Sequence, residues 1–147
     1  MTDDIIVKEV SVKEVVKVNN TITEFDEPYT EDYFENRCKN KEHLIIVAYM
    51  NNIPVGYIVA YDRFDDGSFY CWMAGVTPKF RKKGILKILM NYQEKWTKNK
   101  GYNKIKIKTR NNRREMLSYL IKHGFNLIDI NEHTNIEDYR LLFEKSL

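Results

Sequence analysis

The order of apolar and polar positions along the chain predicts a regular series of strands and helices. β-Branched residues that partly alternate with polar ones at 5–10 predict a first strand, and Ser11 is placed to cap a short helix that ends near residue 18. An acidic and aromatic loop then leads to a second helix at 31–38. Two apolar runs at 43–50 and 53–61 flank Asn51-Asn52, and asparagine tolerates positive φ. These two runs therefore predict a β-hairpin.

The middle of the chain predicts a third strand of the same meander, followed by a long helix. The turn residues Asp65-Asp66-Gly67 lead into an aromatic run at 69–76. Gly75 lies late in that run, where a glycine often marks a β-bulge or a close approach of another backbone. Apolar residues then recur at spacings of three and four from Gly84 to about residue 99, which predicts an amphipathic helix.

The last third of the chain predicts a strand, a helix and two closing strands. Isoleucine and threonine alternate with lysine and arginine at 104–110, and this period of two predicts a strand with one cationic face. Residues 112–123 have one apolar helical face, and Gly124 follows as a C-terminal cap. Residues 126–130 and 138–145 predict the final strands. No repeat or linker divides the chain, so we expect one domain over residues 1–147.

Charge and cysteine content narrow the function classes. The chain has 147 residues and a net charge of +3, but residues 1–75 carry −7 and residues 76–147 carry +10. Such asymmetry indicates an anionic ligand on the second half and a cationic one on the first. Cys38 and Cys71 form neither a disulfide framework nor a metal-binding spacing, and the three histidines are scattered, so we predict no metal and a reducing compartment.

The N-terminal residues lack the pattern of a secretory signal, and the longest apolar run, 44–50, is far shorter than the about 18 residues that span a bilayer. These features predict a cytoplasmic protein without a membrane partner. Exposed strand edges near the C-terminus also make a homodimer an open expectation.

The segment between the strand at 69–76 and the next helix carries the clearest chemistry. It reads Val76-Thr77-Pro78, and Arg81-Lys82-Lys83-Gly84 follow after two further residues. The first N–H groups of a helix have no partners within the helix, and the helix dipole is positive there, so anions bind at such a point. Lysine and arginine add formal charge, and Gly84 allows a close approach of the backbone. The segment therefore predicts a phosphate-binding loop.

This loop and the helix at 112–123 resemble motifs of the GNAT acyl-CoA N-acyltransferase superfamily. That family carries Q/R-x-x-G-x-G/A after V-x-P, and this chain matches five of the anchors, with Leu86 in place of the usual small residue. The family outline for the later helix is matched by Asn112, Met116-Leu117, Lys122 and Gly124-Phe125. The resemblance covers nearly the whole chain. It implies a single α/β (α+β) domain with a mixed sheet of about seven strands flanked by about four helices.

The resemblance also implies an N-acetyltransferase that uses acetyl-CoA to acylate a primary amine of a small molecule or a protein. The pantetheine arm would lie along the strand at Ala74 and Val76, with Gly75 as the bulge that opens the sheet, and backbone N–H groups there would stabilise the oxyanion. The other residues expected to bind the cofactor are Arg81, Lys82, Lys83, Gly84, Ile85, Leu86, Lys87 and Asn112.

Catalytic residues are less well defined by the sequence. Many family members protonate the leaving thiolate with a tyrosine four residues before Gly-Phe, where this chain has Leu120. Tyr119 is the candidate general acid, although helical geometry directs it away from the centre of the apolar face, so a shift of one residue would be needed. Tyr70 and Trp72 share a strand face and are candidates for the acceptor pocket. An acidic segment with Glu24, Asp26, Glu27, Glu31 and Asp32 either overhangs it and attracts a cationic amine, or carries ordinary exposed charges of a helix face.

Two alternatives stay open at this point. Leu86 and the missing tyrosine are compatible with a GNAT-like module that binds acyl-CoA without turnover. The basic tract at 104–114 is compatible with a nucleic-acid-binding protein. That tract has no interleaved aromatic residues for base stacking, and the other half of the chain is acidic, so we expect no nucleic-acid partner.

Overall fold

A mixed β-sheet forms the centre of the protein, which is represented here by a computed structural model that describes residues 4–22 and 29–147. All seven predicted strands and all four predicted helices occur within these ranges. The strands are β1 (Ile5–Glu9), β2 (His43–Met50), β3 (Ile53–Tyr61), β4 (Ser68–Val76), β5 (Lys104–Arg110), β6 (Asn126–Asn131) and β7 (Arg140–Ser146). The helices are α1 (Val12–Asn19), α2 (Glu31–Cys38), α3 (Ile85–Asn99) and α4 (Arg114–Lys122), with 3₁₀ turns at Pro78–Phe80 and Ile136–Asp138.

The strands follow the order β1-β2-β3-β4-β5-β7-β6 across the sheet. Strands β2, β3 and β4 form the predicted antiparallel meander. The pair β4 and β5 is parallel, and α3 makes the crossover between the two strands. Strand β6 forms one edge of the sheet, and all six of its residues are exposed. None of the described helices is long and apolar enough to cross a membrane.

Each face of the sheet packs against a different pair of helices. On one face, Leu89 of α3 and Leu120 of α4 are buried in the same core as Ile105 and Ile107 of β5. On the other face, Val15 of α1 and Phe34 of α2 are buried with aromatic residues of β3 and β4. We call these the α3/α4 face and the α1/α2 face. Alternation along the strands decides which face each side chain joins.

The sheet opens between β4 and β5. Their pairing begins at Ser68↔Lys104 and ends at Cys71↔Ile107, although β4 continues to Val76. Within the described part of the chain, the remaining β4 residues pair with β3 alone, on their other side. The edge of β4 that faces β5 is therefore without a strand partner beyond Cys71, and we call this gap the β4–β5 opening.

A β-bulge lies at the start of the opening, but at Trp72 and not at Gly75. Ala60 pairs with Cys71 and Val59 pairs with Met73, so Trp72 is the extra residue, whereas Gly75 pairs in register with Tyr57. The expected bulge at Gly75 was therefore wrong. A bulge requires glycine only where one of its residues has positive φ, and the φ of Trp72 is not positive. The bulge turns both Trp72 and Met73 toward the α1/α2 face.

Helix α3 sits directly on Gly56 of β3. A Cβ atom built on Gly56 would lie 3.0 Å from Ile85 Cγ2, 3.0 Å from Leu89 Cδ1 and 3.2 Å from the carbonyl oxygen of Gly75. We expect Gly56→Ala to lower the free energy of unfolding by about 1 to 3 kcal/mol, because the backbone oxygen cannot move aside and α3 must shift. Urea unfolding measures this change. Unchanged or increased stability would show that α3 is not in close contact with the sheet.

Candidate functional site

A cavity of about 1220 Å³ fills the β4–β5 opening. Its walls come from both faces of the sheet. Tyr70, Trp72 and Met73 line it from the α1/α2 face. Cys71, Ala74, Val76, Ile107 and Tyr119 line it from the α3/α4 face. The cavity therefore reaches from one face of the sheet to the other, between two strands that have separated.

The loop before α3 forms one end of this cavity. Arg81 Nε donates a hydrogen bond to the carbonyl oxygen of Val76 at 3.1 Å, which folds the loop back on the end of β4. Lys82 has φ 63° and Gly84 has φ 78°, so the backbone takes the left-handed conformation twice. Helix α3 then begins at Ile85 with no acidic residue in its first turn. Its N-terminal N–H groups, the positive end of the helix dipole and nearby cations together favour an anion.

Gly84 leaves this loop open. A Cβ atom at Gly84 would have no atom within 4 Å, although its φ lies in the region that favours glycine. Gly84 is exposed and lines the cavity. A larger side chain there would extend into space that a ligand of the loop needs.

The predicted cofactor residues converge on the cavity with one exception. Ala74, Val76, Arg81, Lys82, Gly84, Ile85, Leu86, Lys87 and Asn112 all line it. Lys83 is exposed and lies outside the lining, because the left-handed residues on either side of it turn the loop at this point. Leu86 is half-buried and packs against the core of the α3/α4 face while it borders the cavity. The Leu86 side chain therefore packs on the core and does not project into the phosphate-binding loop.

Helix α4 presents Tyr119 to the cavity without any shift of register. Leu120 is wholly buried in the core, whereas Tyr119 is half-buried and lines the cavity. Burial raises the pKa of Tyr119 to about 12, and the carboxylate of Glu94 and the thiol of Cys71 act in the same direction. Because the pKa is raised, the phenol keeps its proton at neutral pH and is able to donate it.

His123 is a cavity residue that the sequence did not single out. Its ring stacks on Tyr119 with centroids 4.0 Å apart and 18° between the planes. Its Nδ1 lies 2.8 Å from the backbone oxygen of Tyr119. A carbonyl oxygen only accepts, so Nδ1 carries a proton and donates it to this oxygen. The spacing of four residues between Tyr119 on α4 and His123, which caps the C-terminus of that helix, was the signal for this pair.

The cavity lining is strongly cationic. Nine lysines and arginines border it, and Glu115 is the one carboxylate among the described residues that does so. Glu31 and Asp32 of α2 lie outside the lining. Glu24, Asp26 and Glu27 fall outside the described residues. Tyr70 and Trp72, the candidates for the acceptor pocket, line the cavity.

The two cysteines are poor nucleophiles. Both are free and buried. Burial raises the pKa of Cys38 to about 11 and that of Cys71, which lines the cavity, to about 12. A thiol protonated at neutral pH is unsuited to take up an acyl group, so the site favours direct transfer between two substrates. Among the described residues, no group of three or more His, Cys, Asp or Glu side chains is placed to hold a metal ion.

Part of the basic tract at 104–114 is neutralised within the protein. Lys104 pairs with Glu144 at 3.5 Å, and Lys106 pairs with Asp66 at 2.9 Å. Such pairing lowers the positive potential that a nucleic-acid phosphate backbone would meet at the N-terminal half of β5. The tract is therefore divided between paired residues at one end of the strand and cavity residues at the other.

Comparisons with known proteins agree with this geometry. The model of the Acetyltransferase (GNAT) family matches residues 12–125. No curated protein matches the chain. Among solved structures, the ribosomal-protein-S18-alanine N-acetyltransferase from Escherichia coli is 11% identical, with a TM-score of 0.83 over 97% of this chain and 94% of that one.

Two further structures were solved with coenzyme A. The PaiA N-acetyltransferase from Thermoplasma acidophilum in complex with coenzyme A is 18% identical, with a TM-score of 0.76 over 98% of this chain and 99% of that one. A chain of the NatC complex bound to Gag peptide and CoA is 21% identical, with a TM-score of 0.80 over 98% of this chain and 99% of that one. At these identities the likeness establishes the fold.

Proposed function

Because the chain belongs to the GNAT acetyltransferase family, we propose that it transfers an acetyl group from acetyl-CoA to a primary amine of a small molecule or a protein. The observation that carries this proposal is the cavity that reaches both faces of the sheet through the β4–β5 opening. A donor on one face and an acceptor on the other can meet within it. Proximity of this kind supplies much of the rate enhancement of group-transfer enzymes.

The donor would bind along the loop and the open edge of β4. The N–H groups at the start of α3, with Arg81 and Lys82, suit the pyrophosphate. The unpaired edge of β4 beyond Cys71 suits the pantetheine arm, whose amides can bond to it as an added strand would. The two neighbours solved with coenzyme A support acyl-CoA as the ligand.

The reaction needs few groups from the protein. The amine nitrogen attacks the thioester carbonyl carbon, a C–N bond forms and the C–S bond breaks. Backbone N–H groups of β4 stabilise the oxyanion, and the nitrogen loses its proton to water. Tyr119, protonated and within the cavity, gives its proton to the leaving thiolate and recovers one from solvent.

Thermal unfolding with acetyl-CoA tests donor binding. At a ligand concentration of 100 times Kd the stabilisation is about 2.7 kcal/mol, so we expect the melting temperature to rise by about 5 to 10 °C. Adenosine 3′,5′-bisphosphate should compete, since it occupies the same loop. An unchanged melting temperature at millimolar acetyl-CoA would contradict both an enzyme and a non-catalytic acyl-CoA module.

Release of free thiol distinguishes an enzyme from a non-catalytic acyl-CoA module. We expect the protein to release coenzyme A from acetyl-CoA in the presence of an acceptor amine, faster than the same mixture without protein. Binding without release across a broad amine panel would identify a non-catalytic module. Retention on DNA or heparin with no response to acetyl-CoA would favour the nucleic-acid reading.

A further inference from the structure

We propose that the acceptor is an amine that carries an aromatic ring, and that this ring packs on Trp72 in the β4–β5 opening. The inference rests on the proposed acetyltransferase function and names its substrate class. Four side chains would contact the ring, and all of them line the cavity from the α1/α2 face. They are Tyr29, Tyr70, Trp72 and Met73, and we call them the aromatic wall.

The β-bulge at Trp72 brings an additional side chain to the aromatic wall. In a regular strand Tyr70 and Trp72 would share one face, and Met73 would lie on the other. Because Trp72 is the extra residue of the bulge, Met73 pairs with Val59 and lies on the same face as Trp72. β4 therefore contributes three side chains from four consecutive residues. Two of them are aromatic, and the third is a thioether, which also packs well on aromatic rings.

The aromatic wall lies beside the strand edge where the reaction would occur. Cys71 is the last β4 residue that pairs with β5, so Trp72 is the first β4 residue of the β4–β5 opening. The proposed oxyanion donors begin at Ala74, which is about 7 Å farther along the strand. An amine nitrogen two carbons from a ring on Trp72 would therefore be within reach of the thioester carbonyl.

The Trp72 ring is held in place by its neighbours. The ring centroids of Phe34 and Tyr61 lie 5.5 Å and 6.1 Å from that of Trp72, and both of these residues are buried. The Arg37 guanidinium lies 4.6 Å from the Trp72 centroid, and its Nη1 donates a hydrogen bond to the Tyr61 hydroxyl at 3.4 Å. A side chain already fixed in this way loses little conformational entropy when a ligand packs on it.

Part of the Trp72 surface remains open to the cavity. The residue is half-buried despite these neighbours, and it lines the cavity together with Tyr70 and Tyr29. Pairs of aromatic rings in offset or edge-to-face contact stabilise a complex beyond the burial of their apolar area. Binding pockets for small molecules are lined mainly by such apolar and aromatic side chains. The open part of Trp72 therefore suits an aromatic ring of the acceptor.

The groups proposed for the donor lie elsewhere in the cavity. Leu86 and Tyr119 line it from the α3/α4 face, and Arg81 and Lys82 lie in the loop before α3. These groups suit a phosphate-bearing ligand and its leaving thiolate. The aromatic wall lies across the sheet from them and consists of uncharged side chains. It is therefore available for the second substrate.

Amines that differ only in their ring test the inference. Phenethylamine has an aromatic ring, cyclohexylethylamine has a saturated ring, and ethylamine has none. With acetylation followed by product mass, we expect kcat/KM to favour phenethylamine over ethylamine by about 10- to 100-fold, because the ring is buried. It should favour phenethylamine over cyclohexylethylamine by about three- to tenfold, because aromatic rings pair. Peptides that begin with phenylalanine or alanine extend the test to a protein amine, since the ring is again two carbons from the nitrogen.

Fluorescence quenching tests the position of the ring without turnover. The chain has two tryptophans, and Trp96 lies outside the cavity lining, with its ring centroid 5.3 Å from that of Phe69. Trp96→Phe therefore leaves Trp72 as the reporter, and Trp72→Phe leaves Trp96. The bromine of para-bromophenethylamine quenches indole emission on contact. We expect saturable quenching in Trp96→Phe and none in Trp72→Phe at the same amine concentrations.

Trp72→Leu tests the residue assignment in the reaction, and Trp96→Leu is its matched control. The leucine keeps an apolar side chain in the aromatic wall but removes the aromatic contact. We expect Trp72→Leu to raise KM for phenethylamine by about tenfold and to change KM for ethylamine by less than about twofold. Trp96→Leu should change neither value.

The outcomes separate this inference from the proposed function. If acetyl-CoA stabilises the protein but no aromatic amine is preferred and Trp72 is not quenched, the inference is overturned and the proposed function stands. Equal effects of Trp72→Leu on phenethylamine and ethylamine would also overturn it. If acetyl-CoA does not bind, the proposed function fails. The quenching measurement needs no acetyl-CoA and still supports or overturns the binding of the ring at Trp72.

Discussion

Replacing Gly84 with leucine is expected to weaken acetyl-CoA binding by at least about 100-fold, because the loss of two charge-assisted hydrogen bonds to phosphate costs about 3 kcal/mol or more. The leucine side chain meets no protein atom within 4 Å of its Cβ, so the protein should still fold. It projects into the space where the loop N–H groups would contact the pyrophosphate. Calorimetric titration with acetyl-CoA measures the change in affinity.

Gly101→Leu is the matched control for this variant. Gly101 follows the opposite end of α3, has φ 96° and likewise leaves open space for a Cβ atom. Both variants should therefore lose a similar free energy of unfolding, about 1 to 2 kcal/mol, from the left-handed backbone. Only Gly84→Leu should lose acetyl-CoA affinity. Normal binding by Gly84→Leu, or equal losses in both variants, would contradict the assignment of the loop.

Replacing Tyr119 with phenylalanine is expected to lower kcat by about 100-fold, since general acid catalysis contributes about 10² to 10⁴ in rate and a thiolate is a comparatively good leaving group. The dissociation constant for acetyl-CoA should hardly change, because the ring remains. Single-turnover kinetics with acetyl-CoA and a reactive amine measure the acyl-transfer step itself. Tyr92→Phe, which removes a hydroxyl on α3 away from the cavity, should leave kcat unchanged.

The pH profile gives a second readout for Tyr119. Burial raises its pKa to about 12, so the protonated phenol is present at neutral pH and stays present until the pH approaches that value. The wild-type rate should therefore not fall through phenol ionisation between pH 7 and pH 10. A Tyr119→Phe enzyme with the wild-type kcat would show that solvent protonates the thiolate and that Tyr119 has no catalytic role.

Local sequence signals were sufficient for most of the fold. The bounds of β2, β3, β5 and α2 agree with the predicted ranges residue by residue. Asn51 and Asn52 take the positive φ that the hairpin prediction required. Thr30 accepts a hydrogen bond from the backbone N–H of Tyr33, which fixes the start of α2. In each case the information lies within a few residues of the boundary.

Features that depend on pairing between strands distant along the chain could not be predicted from such local signals. The bulge at Trp72 follows from the registers of β3 and β4 together, whereas the sequence drew attention to Gly75. The cationic face of β5 was visible as an alternation. That this face borders the cavity could be known only from the point where β4–β5 pairing ends and from the pairing of Arg110 with Arg140.

The candidate site was predicted in outline because its loop is one continuous segment. Nine of the ten expected cofactor residues line the cavity, and Lys83 is the exception. Whether Tyr119 and His123 reach the cavity depends on the rotation of α4 about its axis. That rotation is set by the burial of Leu117 and Leu120 in the core. The family pattern placed the tyrosine one residue later. The helix nevertheless presents Tyr119 to the cavity, since Met116, Tyr119 and His123 form one stripe.

Hydrogen exchange of the protein with and without acetyl-CoA tests most directly whether the β4–β5 opening is the donor site. We predict that amides of β4 beyond Cys71 and those at the start of α3 exchange more slowly with acetyl-CoA, because the pantetheine arm and the pyrophosphate engage them. Amides of β1, at the far side of the sheet, should not change. Protection elsewhere on the protein, with none in the β4–β5 opening, would contradict the account.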